Sequence, residues 1–253
     1  MATIKLLTIA DGFGDSRAVP DWYPNYIKWP EIIQLMTRGV ELHNLSRYGA
    51  GNEYMVNQLR HNIKNADVVL VQWAQPNRLD LLLDHGDDQF WQGVIQSDPV
   101  YCDNIVPCGG HRFWLSSGST TSVIQQYHRT YIGMAQHQSR SQLWIEYAKL
   151  LLETHKIDYG FMLVEHSQYL DIDAHWICHE PGCGMNDFRH KSKYSDLDLG
   201  LVQPIPLVAF DFIKQYIMPS MDLPWRRPTE IDAVENMLYR HYQQAITHRY
   251  DKI

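Results

Sequence analysis

Polar residues with the chemistry for acyl transfer occur at or after each of the first three apolar runs of the chain. A serine hydroxyl becomes a nucleophile when a base takes its proton, and amide N–H groups stabilise the oxyanion that its attack creates. The hydroxyl and amide residues are Ser16, Gly49, Asn52, Gln72, Gln75 and Asn77, and two charged residues, Asp15 and Arg78, stand beside them in the sequence. Their spacing predicts a site where the ends of three strands meet.

The segments that must position these residues alternate between predicted strands and predicted helices. Apolar runs at 4–9, 40–45, 67–73 and 158–165 predict buried strands. Helical patterns cover 29–36, 52–64, 141–155, 207–217 and 229–248. This alternation predicts an α/β fold, a three-layer α/β/α sandwich around a parallel sheet. Because ligands of such sheets bind at the carboxyl ends of the strands, we expect the loops at 10–16, 46–52 and 74–78 to meet at one edge.

Two long stretches of the chain show no such alternation. Residues 76–137 and 166–206 are rich in polar and turn-forming residues, which predicts irregular insertions with long loops and room for one or two helices. No internal repeat and no low-complexity tract divides the sequence. We therefore predict a single domain over residues 1–253, a length sufficient for a large buried core.

The overall composition excludes several classes of protein. The 253 residues are 45% hydrophobic and 20% charged with a formal net charge of −7, as in ordinary globular proteins. A weakly acidic chain lacks the broad basic face that nucleic-acid binding requires. The longest unbroken apolar runs, such as 68–71, are too short to span a bilayer. Residues 1–9 predict a strand rather than a signal peptide, so we expect cytoplasmic synthesis and no membrane partner.

Three motifs at the predicted strand ends resemble those of one hydrolase superfamily. Gly14-Asp15-Ser16 follows the first strand, and Gly49-Ala50-Gly51-Asn52 follows the second. Gln75-Pro76-Asn77-Arg78 follows the third. With these motifs in this order, over roughly residues 3–80, the chain resembles the SGNH or GDSL hydrolases, most of all their divergent phage-encoded members.

The resemblance implies a topology and a set of catalytic roles. The sheet is expected to have the flavodoxin-like strand order that these hydrolases share. Ser16 is the implied nucleophile, and the Gly49 amide with the side chain of Asn52 or Asn77 is the implied set of oxyanion donors. Asp222, in the segment before the last helix, is the implied carboxylate that orients the general base.

The sequence departs from the pattern of that family at two positions. The first strand leads into Ala10-Asp11-Gly12, with glycine where the family places its serine, and Ser16 follows four residues later. Before the last helix, Arg227 occupies the place of the family's histidine, and a guanidinium does not accept a proton near neutral pH. A substitute base would be one of the other histidines. Those of the second irregular stretch are His166, His175, His179 and His190.

Two functions of different classes follow from these observations. The first is an ester hydrolase with Ser16 as its nucleophile, acting on a carbohydrate ester such as an O-acetyl group. The alternative is a catalytically degenerate module that binds glycans or serves as a structural protein of a phage virion, with other virion proteins as partners. Gln72, Gln75, Arg78 and Arg227 are the residues predicted to bind the ligand. A structural protein without any ligand is a third hypothesis.

The four cysteines form two pairs by their spacing. Cys102 and Cys108 precede His111, and Cys178 and Cys183 stand close together in a later segment. Thiolates and imidazoles bind zinc, but these spacings are looser than those of zinc ribbons, so we predict no metal site. Because cytoplasmic thiols stay reduced, we expect four free thiols. The sequence also contains no phosphate-binding loop and no zinc-protease motif, and we expect no cofactor.

Overall fold

The computed structural model describes residues 3–12, 14, 23, 25–76, 78, 80–83, 105–108, 111–115, 134–165, 176–178, 184–197 and 204–250. The strands are β1 (Ile4–Ile9), β2 (Val40–Asn44), β3 (Val68–Trp73), β4 (Asp80–Leu83), β5 (Ile105–Cys108), β6 (His111–Leu115) and β7 (Asp158–Leu163). The main helices are α1 (Trp29–Met36), α2 (Asn52–Asn62), α3 (Met134–His155), α4 (Pro206–Phe212) and α5 (Pro228–Tyr250). A π-helical turn, Ile213–Ile217, and a last helical turn, Met218–Ser220, continue α4.

Four of these strands form a parallel sheet in the order β2-β1-β3-β7. β1 pairs with both β2 and β3, so the chain crosses from one side of β1 to the other between its second and third strands. Such a reversal is a topological switch point, and it opens a crevice at the carboxyl ends of β1 and β3. The four predicted strands and their parallel arrangement are thus confirmed.

Helices cover both faces of the parallel sheet. Because successive side chains of a strand point to opposite faces, Leu6 belongs to one hydrophobic core and Leu7 to the other. The first core packs the sheet against α1, α4 and α5, and the second packs it against α2 and α3. β3 is buried along its whole length, as a central strand covered on both faces requires. The architecture is the predicted three-layer α/β/α sandwich.

Local sequence signals set the bounds of the first helix. α1 has Pro30 in its first turn, and the Glu31 carboxylate accepts a hydrogen bond from the Lys28 backbone N–H at 2.7 Å, which caps the helix. The helix ends before Gly39, whose φ of +62° glycine adopts without strain. Across the part of the chain that the structure describes, no helix has both the length and the apolar character needed to cross a membrane.

A second sheet lies in the stretch for which the sequence predicts long loops. β4, β6 and β5 form it in that order, and both pairings are antiparallel. Pro107 lies in β5, an edge strand, where a residue without an N–H is tolerated. The expectation of loops is wrong for these three segments, because strands of four or five residues are too short to show a clear alternating pattern.

Candidate active site

The loops after β1 and β3 meet at the switch point, where an ion pair joins them. Arg78 Nη2 lies 3.2 Å from Asp11 Oδ2. The Asp11 side chain is 1% exposed and that of Arg78 is 22% exposed, so the pair is largely withdrawn from water. Since an uncompensated charge in such a place is costly, the two charges depend on each other. The ion pair therefore fixes both loops that border the crevice.

The turn after β1 rests on the end of β2. Gly14 N–H donates to the Asp11 carbonyl at 3.0 Å, and the Gly14 carbonyl accepts from Asn44 Nδ2 at 2.8 Å. A Cβ at Gly14 would collide with Ser46 Oγ, so only glycine allows this contact. Ser46 is buried, and its Oγ finds no hydrogen-bond partner within the described structure. The predicted Gly14-Asp15-Ser16 motif thus begins at the carboxyl edge of the sheet, next to β2.

A buried lysine contacts the backbone of the turn that follows β1. Lys28 is 1% exposed, and its Nζ donates to the Gly12 carbonyl at 3.3 Å. The same ammonium lies 4.6 Å from the centre of the Tyr26 ring, which is a cation–π geometry. Gly12 stands where the SGNH pattern has its serine. The protein's own side chains therefore hold that position in place.

Gly49 lies in a turn directly beside the end of β1. The Arg47 N–H donates to the Ala10 carbonyl at 3.0 Å, and the Ala50 N–H donates to the Arg47 carbonyl at 3.1 Å. Gly49 has a φ of +82°, which glycine adopts freely and other residues rarely. The structure thus brings the predicted backbone donor to the edge that holds the Gly14 turn. Its role as an oxyanion donor stays a prediction.

Two of the predicted side-chain amides are engaged in contacts within the protein. Asn52 Oδ1 accepts from the Ala74 N–H at 3.0 Å, and its Nδ2 lies 3.4 Å from the Ala74 carbonyl. Gln72 Oε1 accepts from Trp29 Nε1 at 3.1 Å, and its Nε2 lies 3.5 Å from the Met185 sulfur. Both side chains are buried. Asn52 and Gln72 therefore tie loops and helices to the end of β3 rather than face a ligand.

A buried carboxylate caps the helix that follows this loop. The Asp80 carboxylate accepts hydrogen bonds from the N–H groups of Gly51 and Tyr54, both at 2.8 Å, at the start of α2. Burial raises the pKa of Asp80 to about 7, although these two hydrogen bonds act in the opposite direction. The nearby Glu53 raises the pKa further and Arg140 lowers it. Asp80 thus joins the small antiparallel sheet to the carboxyl edge of the large one.

A further group of polar side chains lies at the carboxyl end of β7. The N–H groups of Met185 and Asn186 donate to backbone carbonyls at and just after the end of this strand, at 3.1 and 2.8 Å. Glu165 accepts from Gln75 Nε2 with one carboxylate oxygen, and from Asn186 Nδ2 at 2.6 Å with the other. Gln75, which the sequence predicts to bind a ligand, is therefore bound to the loop after β7.

A 3₁₀ turn, Asp187–His190, follows directly and carries an Asp-x-x-His pair. Side chains three residues apart eclipse in a 3₁₀-helix, so Asp187 and His190 project from the same side of the turn. Phe188 between them is 1% exposed and packs against Phe212 of α4, which anchors the turn to the core. An imidazole with a carboxylate on the same side is the pairing that orients a general base.

A second histidine lies near the same edge. His137, in the first turns of α3, is 5% exposed. One helical turn later, Ser141 Oγ lies 3.5 Å from the Pro76 carbonyl in the loop after β3. His190, by contrast, is exposed and has a carboxylate three residues before it. A base must reach a substrate, so His190 is the better candidate of the two.

Two predicted site residues, Arg227 and Asp222, lie at the opposite edge of the sheet, so the prediction that they belong to this site is wrong. Arg227 follows Arg226, whose N–H donates at 2.8 Å to the Met36 carbonyl at the end of α1, where the chain enters β2. Asp222 lines a cavity of about 530 Å³ together with Val68, the first residue of β3. α4 returns along the sheet to this amino edge before α5 begins. A six-residue strand spans roughly 20 Å, so neither residue shares a site with the carboxyl-edge loops.

Several predicted residues, namely Asp15, Ser16, Asn77, Cys102 and Cys183, lie outside the described residues. Cys108 is a buried free thiol, and burial raises its pKa to about 11. Cys178 is disulfide-bonded, so the prediction of a free thiol is wrong there, because that prediction depended on the assumption of a reducing compartment. Within the described ranges, no group of three or more His, Cys, Asp and Glu side chains is arranged to hold a metal ion.

Some polar residues of the carboxyl edge are missed by the sequence analysis. Asp11, Asp80 and Glu165 belong to no motif, because their partners are remote in the sequence and only the fold brings them together. His190 was among the four histidines predicted as substitute bases, but its pairing with Asp187 was missed, although the Asp-x-x-His spacing is visible in the sequence.

These features together define an α/β/α protein with an ordered polar site at the carboxyl ends of a parallel sheet. No protein-family model and no curated protein matches the chain. Among solved structures, the chain is similar to a catalytic mutant of an acetylxylan esterase from Geobacillus stearothermophilus. That similarity has a TM-score of 0.38 and 14% sequence identity, and it covers 90% of this chain and 98% of that chain.

Proposed function

We propose that this protein is an SGNH-like ester hydrolase with its active site at the carboxyl ends of β1 and β3. The observation that carries the proposal is the Asp187–His190 turn, which begins at the carboxyl end of β7, at the edge that also holds the Gly14 turn. It offers the base that the sequence lacks at Arg227. Ser16 follows Gly14 by two residues, and two residues extend at most about 7 Å, so a nucleophile there stays within reach of this edge.

The proposed reaction is acyl transfer through a serine ester. His190 takes the hydroxyl proton of Ser16 as the serine oxygen attacks the acyl carbon of the ester. The electrons of the C=O double bond move onto the carbonyl oxygen, which becomes an oxyanion. The Gly49 N–H stabilises that oxyanion. When this tetrahedral intermediate collapses, the bond to the alcohol oxygen breaks and the alcohol leaves with the proton from His190. A water molecule activated by the same imidazole then releases the acid, while Asp187 holds the ring in the required tautomer.

The proposed substrate class is an acyl ester of a carbohydrate, such as an O-acetyl group. The resemblance of the strand-end motifs to those of SGNH hydrolases supports this choice, and so does the abundance of Tyr and Trp, whose rings stack on sugars. The proposal includes neither a nucleic-acid nor a membrane partner, because the weakly acidic chain favours no broad basic face and its unbroken apolar runs are too short to span a bilayer.

Turnover of p-nitrophenyl acetate by the purified protein tests this function. We expect Ser16→Ala to abolish turnover, because the nucleophile is lost, while circular dichroism shows an unchanged fold. Ser220→Ala is the matched control, since Ser220 is an exposed serine beside the amino-edge cavity. It should keep wild-type activity. Undiminished turnover by Ser16→Ala would contradict the proposal.

A catalytically degenerate binding module is the second candidate, and the surroundings of Gly12 favour it. Glycine stands in the place of the strand-end serine, and Lys28 holds its carbonyl. Asn52 and Gln72 are already hydrogen-bonded within the protein, which leaves fewer donors for an oxyanion. In this case the loops of the carboxyl edge would hold a glycan or another virion protein, with Arg78 as the cation at the crevice.

Calorimetric titration distinguishes the two candidates. An O-acetylated oligosaccharide and its deacetylated form serve as ligands for wild-type protein and for Ser16→Ala. The second candidate predicts no turnover of any acyl ester and equal affinity of both proteins for the glycan. Ester turnover that disappears in Ser16→Ala would reject the second candidate.

A further inference from the structure

Glu165 is held between two side-chain amides that come from different parts of the chain. Gln75, in the loop after β3, donates to Oε2, and Asn186, at the start of the 3₁₀ turn, donates to Oε1 at 2.6 Å. Hydrogen bonds to an ionised carboxylate are shorter and stronger than those between neutral groups. We name this set of three side chains the Glu165 clamp. It joins the loops after β3 and β7 at the carboxyl edge.

The backbone beside the clamp is shaped to bring the turn close to it. A Cβ at Gly184 would lie 2.6 Å from Glu165 Cα, so only glycine lets the two segments approach this closely. The Gly184 carbonyl accepts the Phe188 N–H at 2.9 Å, and Arg189 Nη1 donates to Asn186 Oδ1 at 3.1 Å. The clamp and the first residues of the turn therefore form one continuous network.

We propose that Glu165 is a positioning residue that holds the Asp187–His190 turn in the geometry that proton transfer needs. The inference rests on the proposed function, because it gives His190 the role of the base. Phe188 anchors the turn on the core side, and the clamp anchors it on the side of the strand ends. Without the clamp, one anchor remains and the imidazole has more freedom. A misplacement of about 1 Å can reduce a catalytic rate about 100-fold.

Three variants separate positioning from other effects. Glu165→Ala removes the clamp completely. Glu165→Gln removes the charge but can keep two hydrogen bonds, because the Gln75 amide can turn and accept with its oxygen. Glu153→Gln is the matched control, since Glu153 is a carboxylate at the amino edge that accepts from the Tyr159 hydroxyl at 3.3 Å.

Hydrogen exchange and steady-state kinetics on the full chain give two independent readouts. In Glu165→Ala we expect the Met185 and Asn186 amides to exchange at least 10-fold faster, and kcat for p-nitrophenyl acetate to fall about 10- to 100-fold with KM nearly unchanged. Glu165→Gln should show smaller changes in the same directions, and Glu153→Gln none.

The other possible outcomes would overturn either the positioning role of Glu165 or the proposed function. Faster exchange with an unchanged kcat would overturn the positioning role, and so would a fall in kcat without faster exchange. Failure of the wild-type protein to hydrolyse any acyl ester would overturn the proposed function instead. Exchange would then still decide whether the clamp fixes the turn, since that measurement does not depend on turnover.

Discussion

The two edges of the parallel sheet carry charged side chains in opposite environments. At the carboxyl edge, Asp11 pairs with Arg78 away from water, and both oxygens of Glu165 accept hydrogen bonds. At the amino edge, Glu153 and Asp222 are exposed around a cavity of about 530 Å³. Desolvated charges are costly and persist only where the fold holds them in place. We infer from this comparison that charged side chains held by ion pairs and hydrogen bonds, rather than a large cavity, indicate which edge of the sheet holds the candidate active site.

One histidine at each edge provides the strongest test of this comparison. His190 and His155 are both exposed at the end of a helical segment, His190 at the carboxyl end of β7 and His155 just before its amino end. General base catalysis contributes about 10²- to 10⁴-fold, so we expect His190→Gln to lower kcat for p-nitrophenyl acetate about 1000-fold. His155→Gln should keep wild-type rates. Equal losses in both variants would remove the functional distinction between the edges.

An arginine–carboxylate pair at each edge tests the comparison through stability. Arg78→Met leaves the buried Asp11 carboxylate without its guanidinium, and we expect a loss of about 3 kcal/mol in the free energy of unfolding in urea. Arg38→Met is the control, because Arg38 and its partner Glu230 are both partly exposed at the amino edge. Its unfolding midpoint should stay unchanged, as exposed ion pairs contribute little. Similar midpoints for the two variants would show that the Asp11–Arg78 pair is not specially desolvated.

The fold was largely predictable because its signals are local. The runs 4–9 and 67–73 are apolar enough to indicate buried strands, and their alternation with helices dictates a parallel sheet. The pairing of β4 with β6 was not predictable, since it joins segments about 30 residues apart. Only two residues, Gly109-Gly110, separate β5 from β6, and such a pair is a hairpin signal that was missed. The edge of the sheet at which α4 ends was also not predictable, because sequence spacing does not give the direction in which a helix runs.

The candidate site was predictable only where a motif is contiguous. Gly49 and Arg78 each lie five residues after a strand, in the loop that leaves its carboxyl end, so their place at the carboxyl edge was predictable. The last helix was predicted at nearly its observed bounds, but Asp222 was misplaced because its role was taken from the family pattern and not from the edge at which α4 ends. Glu165 gave no signal at all, since its two amide donors are 90 and 21 residues away.

The buried carboxylate that caps α2 should make stability depend on pH. The pKa of Asp80 is raised by burial from 3.8 to about 7, so the folded state binds the proton more tightly than the unfolded state. The stability from this group is present at pH 4 and is lost as the pH rises through about 7, by about 1.4 kcal/mol per pH unit. Asp80→Asn should remove this component of the slope in urea unfolding at pH 5, 6 and 7.

A carboxylate at the other edge controls for the loss of one negative charge. Asp158 is exposed at the start of β7, beside the amino-edge cavity. Asp158→Asn should leave the slope between pH 5 and 7 at its wild-type value. If Asp80→Asn behaves like Asp158→Asn, the Asp80 carboxyl is not desolvated and the carboxyl edge is less enclosed than the structure indicates.

The smallest expected effect concerns a buried hydroxyl at the carboxyl edge. Ser46 Oγ is buried beneath the Gly14 turn and makes no hydrogen bond within the described structure, whereas the equally buried Ser192 donates to Asp211 at 2.7 Å. An unsatisfied buried polar group costs free energy that its removal recovers. We therefore expect Ser46→Ala to raise the free energy of unfolding by about 1 kcal/mol, and Ser192→Ala to lower it by about 2 kcal/mol, in urea titrations at one pH. A Ser46→Ala variant that is less stable than wild type would mean that this hydroxyl is hydrogen-bonded in solution, and that the carboxyl edge holds a bound water or ligand at the turn that leads to Ser16.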